Sequence, residues 1–272
     1  MNRKLKKILG YTLLFFESIL FFIIIFLLIL RLTIFNVSFV NKKLVEKKYY
    51  DNLYKEIKTE MSYYTEQSGF KDDILDDIYT KDELKYDTNN FIRNLYNGTS
   101  IEISTKNLKR RLTDKINKYI EENNYDEVNQ EEIDKFVNEM AKIYKDEIKL
   151  MGYTDKIFKV VPKIVDIIGE VILLGICIFI IMIILNRKIF RNKDYGTILY
   201  TSSFLLIYLF IYIKNTIDIK NIYFYNDLLS NILKNIVNSV LNITLILSIL
   251  FIIIGIIIGL LTKVRHRRHR NV

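Results

Sequence analysis

Four long apolar blocks interrupt a chain that is otherwise rich in charged residues. They cover residues 8–34, 165–185, 196–213 and 240–261. A helix needs about 20 apolar residues to cross the hydrocarbon core of a bilayer, so the blocks predict four transmembrane helices and exclude a soluble enzyme or a secreted disulfide scaffold. The first block follows a basic segment, as in a signal peptide. It is too long for a signal sequence and no cleavage site follows it, so we interpret it as an uncleaved anchor.

The segment between the first two blocks, residues 36–163, has the periodicity of helices. Apolar residues such as Leu53 and Ile57 recur every three or four positions. Thr80 and Glu83 have the spacing of a capping box, and Asn129 marks a further helix start. We therefore predict an all-α fold, namely a four-span transmembrane helical protein with an extracytoplasmic helical-bundle domain between spans one and two.

The connection before the last block, residues 214–239, contains an amphipathic helical pattern. Leu229, Ile232 and Ile236 form an apolar stripe that continues into the block, and neither Pro nor Gly occurs from Asp227 to Ile254. The final helix is therefore predicted to begin near Asp227, well before its apolar block.

The positive charge is concentrated beside the apolar blocks. The formal net charge is +9, and residues 1–7, 186–195 and 262–272 together hold thirteen basic residues and one acidic residue. The positive-inside rule places these three segments and both termini in the cytoplasm, with residues 36–163 and 214–239 outside. Such short clusters favour contact with anionic lipid head groups over nucleic-acid binding. The clusters include Arg187, Lys188, Arg191, Arg265, Arg267 and Arg268.

Residues that support catalysis or metal binding are scarce. Cys177 is the single cysteine, and His266 and His269 are the two histidines, both in the basic tail. A zinc site, a Cys–His pair and a Ser-His-Asp triad therefore all lack parts, and we expect no enzyme activity, metal or cofactor. The acidic run within residues 72–77 has the spacing of a solvated helix face, which we favour over a Ca²⁺ site.

Polar residues within the apolar blocks are the strongest candidates for function, because an intramembrane carboxylate costs roughly 3 kcal/mol at the bilayer centre. The candidate intramembrane polar site consists of Glu17, Asp166, Glu170 and Asn242. These carboxyl groups could form a proton or cation relay, or they could bond to nearby polar groups such as Ser18 or Ser202; we favour the second interpretation. Gly255 and Gly259 have the GxxxG spacing of closely packed helices.

The composition indicates a bacterial source, since the many isoleucines and lysines and the single alanine, Ala141, are typical of an AT-rich genome. The phrases MSYYTEQSGF, ILDDIYTKDELKYDTNNFIRNLYNG and IEISTKNLKRRL resemble a family of multipass membrane proteins of Gram-positive (Firmicutes) bacteria. The resemblance covers about residues 49–112. It implies an extracytoplasmic helical domain and no catalytic residues.

Two functions remain open at this stage. We expect a bacterial plasma-membrane protein whose extracytoplasmic helical domain binds or senses a protein, peptide or envelope partner. The alternative is a small permease, or a subunit of a transport complex, that uses Glu17 and Glu170. In both cases the lipid bilayer and another membrane or envelope protein are the expected partners.

Overall fold

The computed structural model describes residues 3–46, 48–99, 102–123, 129–149, 154–190, 195–221 and 227–268. These residues form helices and connections without strands. The helices are α1 (Arg3–Leu32), α2 (Val37–Glu46), α3 (Tyr49–Gln67), α4 (Lys81–Asn97), α5 (Lys106–Glu122), α6 (Gln130–Ile148), α7 (Thr154–Leu185), α8 (Tyr195–Thr216) and α9 (Asp227–Arg268). The all-α prediction is thus confirmed for the described residues.

The chain divides into two compact units. The first, here called the apolar unit, comprises Met1–Val40 and Val165–Val272, and the second, the inserted unit, comprises Asn41–Ile164. The division follows the composition of the sequence, because the long apolar helices lie in the first unit and the mixed-charge amphipathic helices in the second.

Four helices, α1, α7, α8 and α9, are long and apolar enough to cross a membrane. The corresponding segments are Lys4–Leu32, Lys159–Ile189, Tyr195–Thr216 and Asp227–Thr262. By length and composition they indicate a multi-pass membrane protein. Helix α9 is unbroken from Asp227, which confirms the predicted helix start. Its 42 residues span about 63 Å, roughly twice the thickness of a hydrocarbon core.

Helices α1 and α7 pack side by side in opposite directions. Phe21 and Phe179 have ring centroids 5.4 Å apart. Two glycines of α7 leave room for side chains of α1. A Cβ at Gly175 would lie 3.0 Å from Ile24 Cγ1, and a Cβ at Gly169 would collide with the Arg31 guanidinium. These pairs fix the register of the two helices.

Helices α8 and α9 approach closely at glycines. A Cβ at Gly196 would lie 2.8 Å from the carbonyl oxygen of Gly255 and 3.2 Å from the amide nitrogen of Gly259. The GxxxG residues therefore lie at the contact between α8 and α9, where the missing side chains allow the backbones to meet.

The inserted unit has its own apolar core and well-defined helix ends. Leu53, Ile57 and Phe91 are among its most buried side chains. The predicted capping box at the start of α4 is present. Thr80 Oγ1 accepts a hydrogen bond from the backbone amide of Glu83 at 3.2 Å, and the Glu83 carboxylate accepts one from the backbone amide of Thr80 at 2.9 Å. The acidic run before it forms a single 3₁₀ turn, Asp72–Leu75, with its carboxylates exposed.

Candidate functional site

A buried carboxylate–amide pair joins α1 to the end of α7. Glu17 is 1 % exposed and Asn186 is 3 % exposed. The Asn186 side-chain nitrogen donates to both carboxylate oxygens of Glu17, at 3.1 and 3.2 Å. Asn186 begins a π-helical turn, Asn186–Phe190, that follows α7. Such turns occur often at functional sites because they redirect side chains within a helix.

Hydroxyl groups continue this polar region toward α8. Ser18 and Ser202 are both fully buried. Ser202 Oγ lies 2.8 Å from the carbonyl oxygen of Ser18 and 2.6 Å from that of Ile198, and it can donate to either. Polar groups on α1, on the turn that follows α7 and on α8 thus meet inside an otherwise apolar set of helices, as is typical of helix contacts in membranes.

One atom of this region has no partner among the described residues. Asn186 Oδ1 is buried and accepts no hydrogen bond. A buried carbonyl oxygen without a donor loses the hydrogen bonds that water would provide, at roughly 1–3 kcal/mol. The Glu17–Asn186 pair therefore contains one buried acceptor, Asn186 Oδ1, that lacks a hydrogen-bond donor.

The four predicted intramembrane polar residues lie apart: Glu17 is buried at the contact with Asn186, and the other three lie elsewhere. Asp166, Glu170 and Asn242 are exposed on the surface of their helices. Asn186 lies sixteen positions after Glu170, or about 24 Å along the helix axis. The physical reason is the opposite direction of α1 and α7, which brings Glu17 to the far end of α7.

Asn186 itself was missed by the sequence reasoning, which placed it in the loop of residues 186–195. The only signal in the sequence was its position directly after the apolar block. The suggested partners of Glu17, Ser18 and Ser202, bond to backbone carbonyl groups instead.

The predicted lipid-facing basic residues are only partly described. Arg187 and Lys188 are exposed on the π-helical turn, as head-group contact requires. Arg191 lies outside the described residues. Arg265, Arg267 and Arg268 belong to the last turns of α9, but their side chains are not described.

The inserted unit contains a cleft between α4, α5 and α6, here called the acidic cleft. Its volume is about 460 Å³, within the range of small-ligand sites. Tyr79 and Tyr144 are buried at its base, whereas Tyr86 is 67 % exposed. The remaining lining residues are Ile78, Asp82, Glu83, Asp87, Ser104, Asn107 and Leu108.

The carboxylates of the acidic cleft differ in whether a cationic side chain balances their negative charge. Glu83 is held by Arg111, whose two terminal nitrogens each donate at 2.8 Å, and this bonding lowers the pKa of Glu83. Asp87 is half-buried and accepts a hydrogen bond from the Tyr144 hydroxyl at 2.9 Å. Burial raises the pKa of Asp87, and the nearby Glu83 adds to the rise. A half-buried carboxylate with a neutral donor favours a cation as its neighbour.

A second cleft, of about 480 Å³, lies where α3, α5 and α6 meet, and we call it the aromatic cleft. Phe70 lines it, with its ring centroid 5.0 Å from that of Phe136 and 5.8 Å from that of Tyr119. Asn129 and Glu132 line its edge. Residues 124–128, which precede α6, are outside the described residues.

Acidic side chains from α3 and α6 face each other in the inserted unit. Glu147 lies within hydrogen-bond reach of Glu60, and Glu56 and Asp146 lie close enough to repel it. Burial, followed by these interactions, raises the pKa of Glu147 to about 7. One proton shared between two carboxyl groups is the ordinary result of such an arrangement.

Comparison with known proteins returned no matching family model, curated protein or solved structure.

Proposed function

We propose that the chain is a bacterial plasma-membrane protein whose inserted unit lies outside the cytoplasm and binds a protein, peptide or envelope partner. The basic residues that flank the apolar helices support this orientation, with both termini in the cytoplasm. The four apolar helices anchor the chain in the membrane, and the juxtamembrane basic residues contact anionic lipid.

The acidic cleft carries this proposal. Its base presents tyrosine rings, its wall presents Asp87 without a cationic partner among the described residues, and Asp82 lies exposed at its edge. Carboxylates and aromatic faces both attract cations, and the attraction to a ring reaches about 2 kcal/mol when the cation is desolvated. The partner is therefore one that offers an ammonium or guanidinium group, such as a basic side chain of a protein or peptide.

Binding of a basic peptide to the full-length protein in lipid nanodiscs tests the proposal. The probe is a fluorescently labelled lysine-rich peptide, measured at constant ionic strength. Asp87→Asn should weaken binding about tenfold, the equivalent of one charge-assisted contact of roughly 1.4 kcal/mol. Asp114→Asn is the matched control because Asp114 is exposed on α5 and does not line the cleft. Equal losses in both variants would mean non-specific attraction and would reject the cleft as the binding site.

The second candidate function, a small permease or transport subunit, rests on a different observation. A carboxylate that is 1 % exposed within an apolar helix, Glu17, is an unusual feature for a helix that serves only as an anchor. Loss of a transport activity in Glu17→Gln, with unchanged peptide binding, would favour this candidate over the first.

A further inference from the structure

The charge of Glu17 has no counterion among the described residues. The ion pairs of the structure do not include it. On α1, the nearest charged residues are Lys7 and Arg31, ten and fourteen positions away, or about 15 and 21 Å along the helix. Arg187 and Lys188 follow Asn186 directly, but both are exposed.

The two other helices near this region also lack charge at this level. Helix α8 has Lys214 near its far end as its one charged residue, with Tyr195 and Tyr200 as its nearer titratable groups. Helix α9 has no charged residue between Lys234 and Lys263. An ionised Glu17 would thus be a buried charge compensated by one neutral amide, and that is an unstable arrangement.

The donors and acceptors of Glu17 and Asn186 do not match in number, and one more donor would satisfy Asn186 Oδ1. The amide of Asn186 has two N–H donors and one acceptor oxygen, whereas an ionised carboxylate only accepts. Both donor contacts go from Asn186 to Glu17, and Oδ1 is left without a donor. A proton on the carboxyl group would provide that donor. After a rotation of the amide, Glu17 O–H can donate to Oδ1 while the Asn186 N–H donates to the other carboxyl oxygen.

We propose that Glu17 and Asn186 form a proton-binding site at the contact between α1 and the π-helical turn that follows α7. The proton comes from water on the side of Arg187 and Lys188, where the turn meets the surface. Binding converts a buried carboxylate and an orphaned carbonyl oxygen into a neutral pair with two reciprocal hydrogen bonds. Release of the proton restores the charge and loosens the α1–α7 contact. This site is independent of partner binding by the inserted unit.

Infrared spectroscopy of the full-length protein in nanodiscs tests the site directly, because protonated and ionised carboxyl groups have separate carbonyl stretching bands. The band of Glu17 is obtained as the difference between the parent and Glu17→Gln, because Asp87, whose pKa is raised by burial, and the intramembrane Asp166 and Glu170 are present in both. Glu147, with a pKa of about 7, is replaced in a Glu147→Gln background so that it cannot contribute. We expect a protonated-carboxyl band at pH 8 that is lost in Glu17→Gln and retained in Glu170→Gln, the matched intramembrane control.

A second variant distinguishes a protonated Glu17 that is hydrogen-bonded to Asn186 from one that is protonated only because it is buried. Asn186→Ala removes the acceptor, so the carboxyl band should move to higher wavenumber as its hydrogen bond weakens. Absence of the band in the folded parent protein at pH 6 to 8 would overturn the proposal, as would a band that Asn186→Ala leaves unmoved. If the band is absent and NaCl raises the melting temperature of the parent but not of Glu17→Gln, the site holds a metal cation instead and the proton proposal is wrong.

Discussion

The facing acidic side chains of α3 and α6 predict a specific pH dependence for the stability of the inserted unit. The pKa of Glu147 is about 7 in the folded unit against an ordinary value of 4.5. The folded state therefore holds a proton that the unfolded state has already released. The stabilisation from this group is fully present below pH 4.5 and is lost as the pH rises through about 7.

The size of this effect follows from the same values. A rise from 4.5 to about 7 corresponds to a change of about 3 kcal/mol in unfolding free energy. Glu60 is exposed and Glu147 is only half-buried, so water screens the repulsion. We therefore expect a loss of about 1–2 kcal/mol between pH 5 and pH 8.

Glu147→Gln is the informative perturbation, because the glutamine keeps the shape of the protonated acid and carries no charge. Urea unfolding of a fragment covering residues 41–164, followed by circular dichroism, measures the free energy at each pH. The variant should show a smaller decrease than the parent and should be about 1–2 kcal/mol more stable at pH 8. Glu66→Gln, an exposed change on α3, is the control and should keep the parent profile. Parallel profiles for Glu147→Gln and the parent from pH 5 to 8 would refute the reasoning.

Two further predictions concern the membrane helices. Reporter fusions after Asn192 and at the C-terminus should give cytoplasmic signals and one after Asn124 an external signal; a cytoplasmic signal at Asn124 would reverse the proposed orientation. Gly196→Ala should lower the melting temperature, because the new Cβ would lie 2.8 Å from a backbone oxygen of α9. Gly259→Ala should be tolerated, because the nearest neighbour of its Cβ would be the Tyr200 hydroxyl at 3.4 Å. Equal effects of the two glycine changes would argue against the close α8–α9 contact.

Features encoded by neighbouring residues could be predicted from the sequence. The capping box at Thr80 and Glu83 depends on a three-residue spacing, and the structure has both of its hydrogen bonds. The helix that begins at Asp227 depends on an uninterrupted apolar stripe. The four apolar helices depend only on length and composition. In each case the physical cause lies within one helix.

Contacts between distant segments could not be predicted in this way. Glu17 was identified as unusual, yet its partner Asn186 lies 169 residues away and is determined by the register of α1 against α7. The Glu60–Glu147 pair has the same origin, because the packing of α3 on α6 places an exposed and a half-buried carboxylate opposite each other. A single sequence specifies which faces are apolar, but it does not specify how far one helix slides along another.

The register of α1 and α7 can be tested by disulfide formation, and the proton-site geometry depends on it. Ile24 and Glu17 are seven residues apart, and Gly175 and Asn186 are eleven apart. These separations are close to two and three turns, so each pair shares one helix face. Ile24 Cγ1 would lie 3.0 Å from a Cβ at Gly175. The Cβ of residue 24 is one bond from that atom and would therefore lie within about 4.5 Å, inside the range for a disulfide. In a Cys177→Ser background, Ile24→Cys with Gly175→Cys should therefore oxidise readily.

Ile23→Cys with Gly175→Cys is the control, because Ile23 is exposed at 40 % and lies about 100° further around α1. Equal oxidation of both pairs, or of neither, would mean that α1 and α7 are not aligned as described and that Glu17 does not face Asn186.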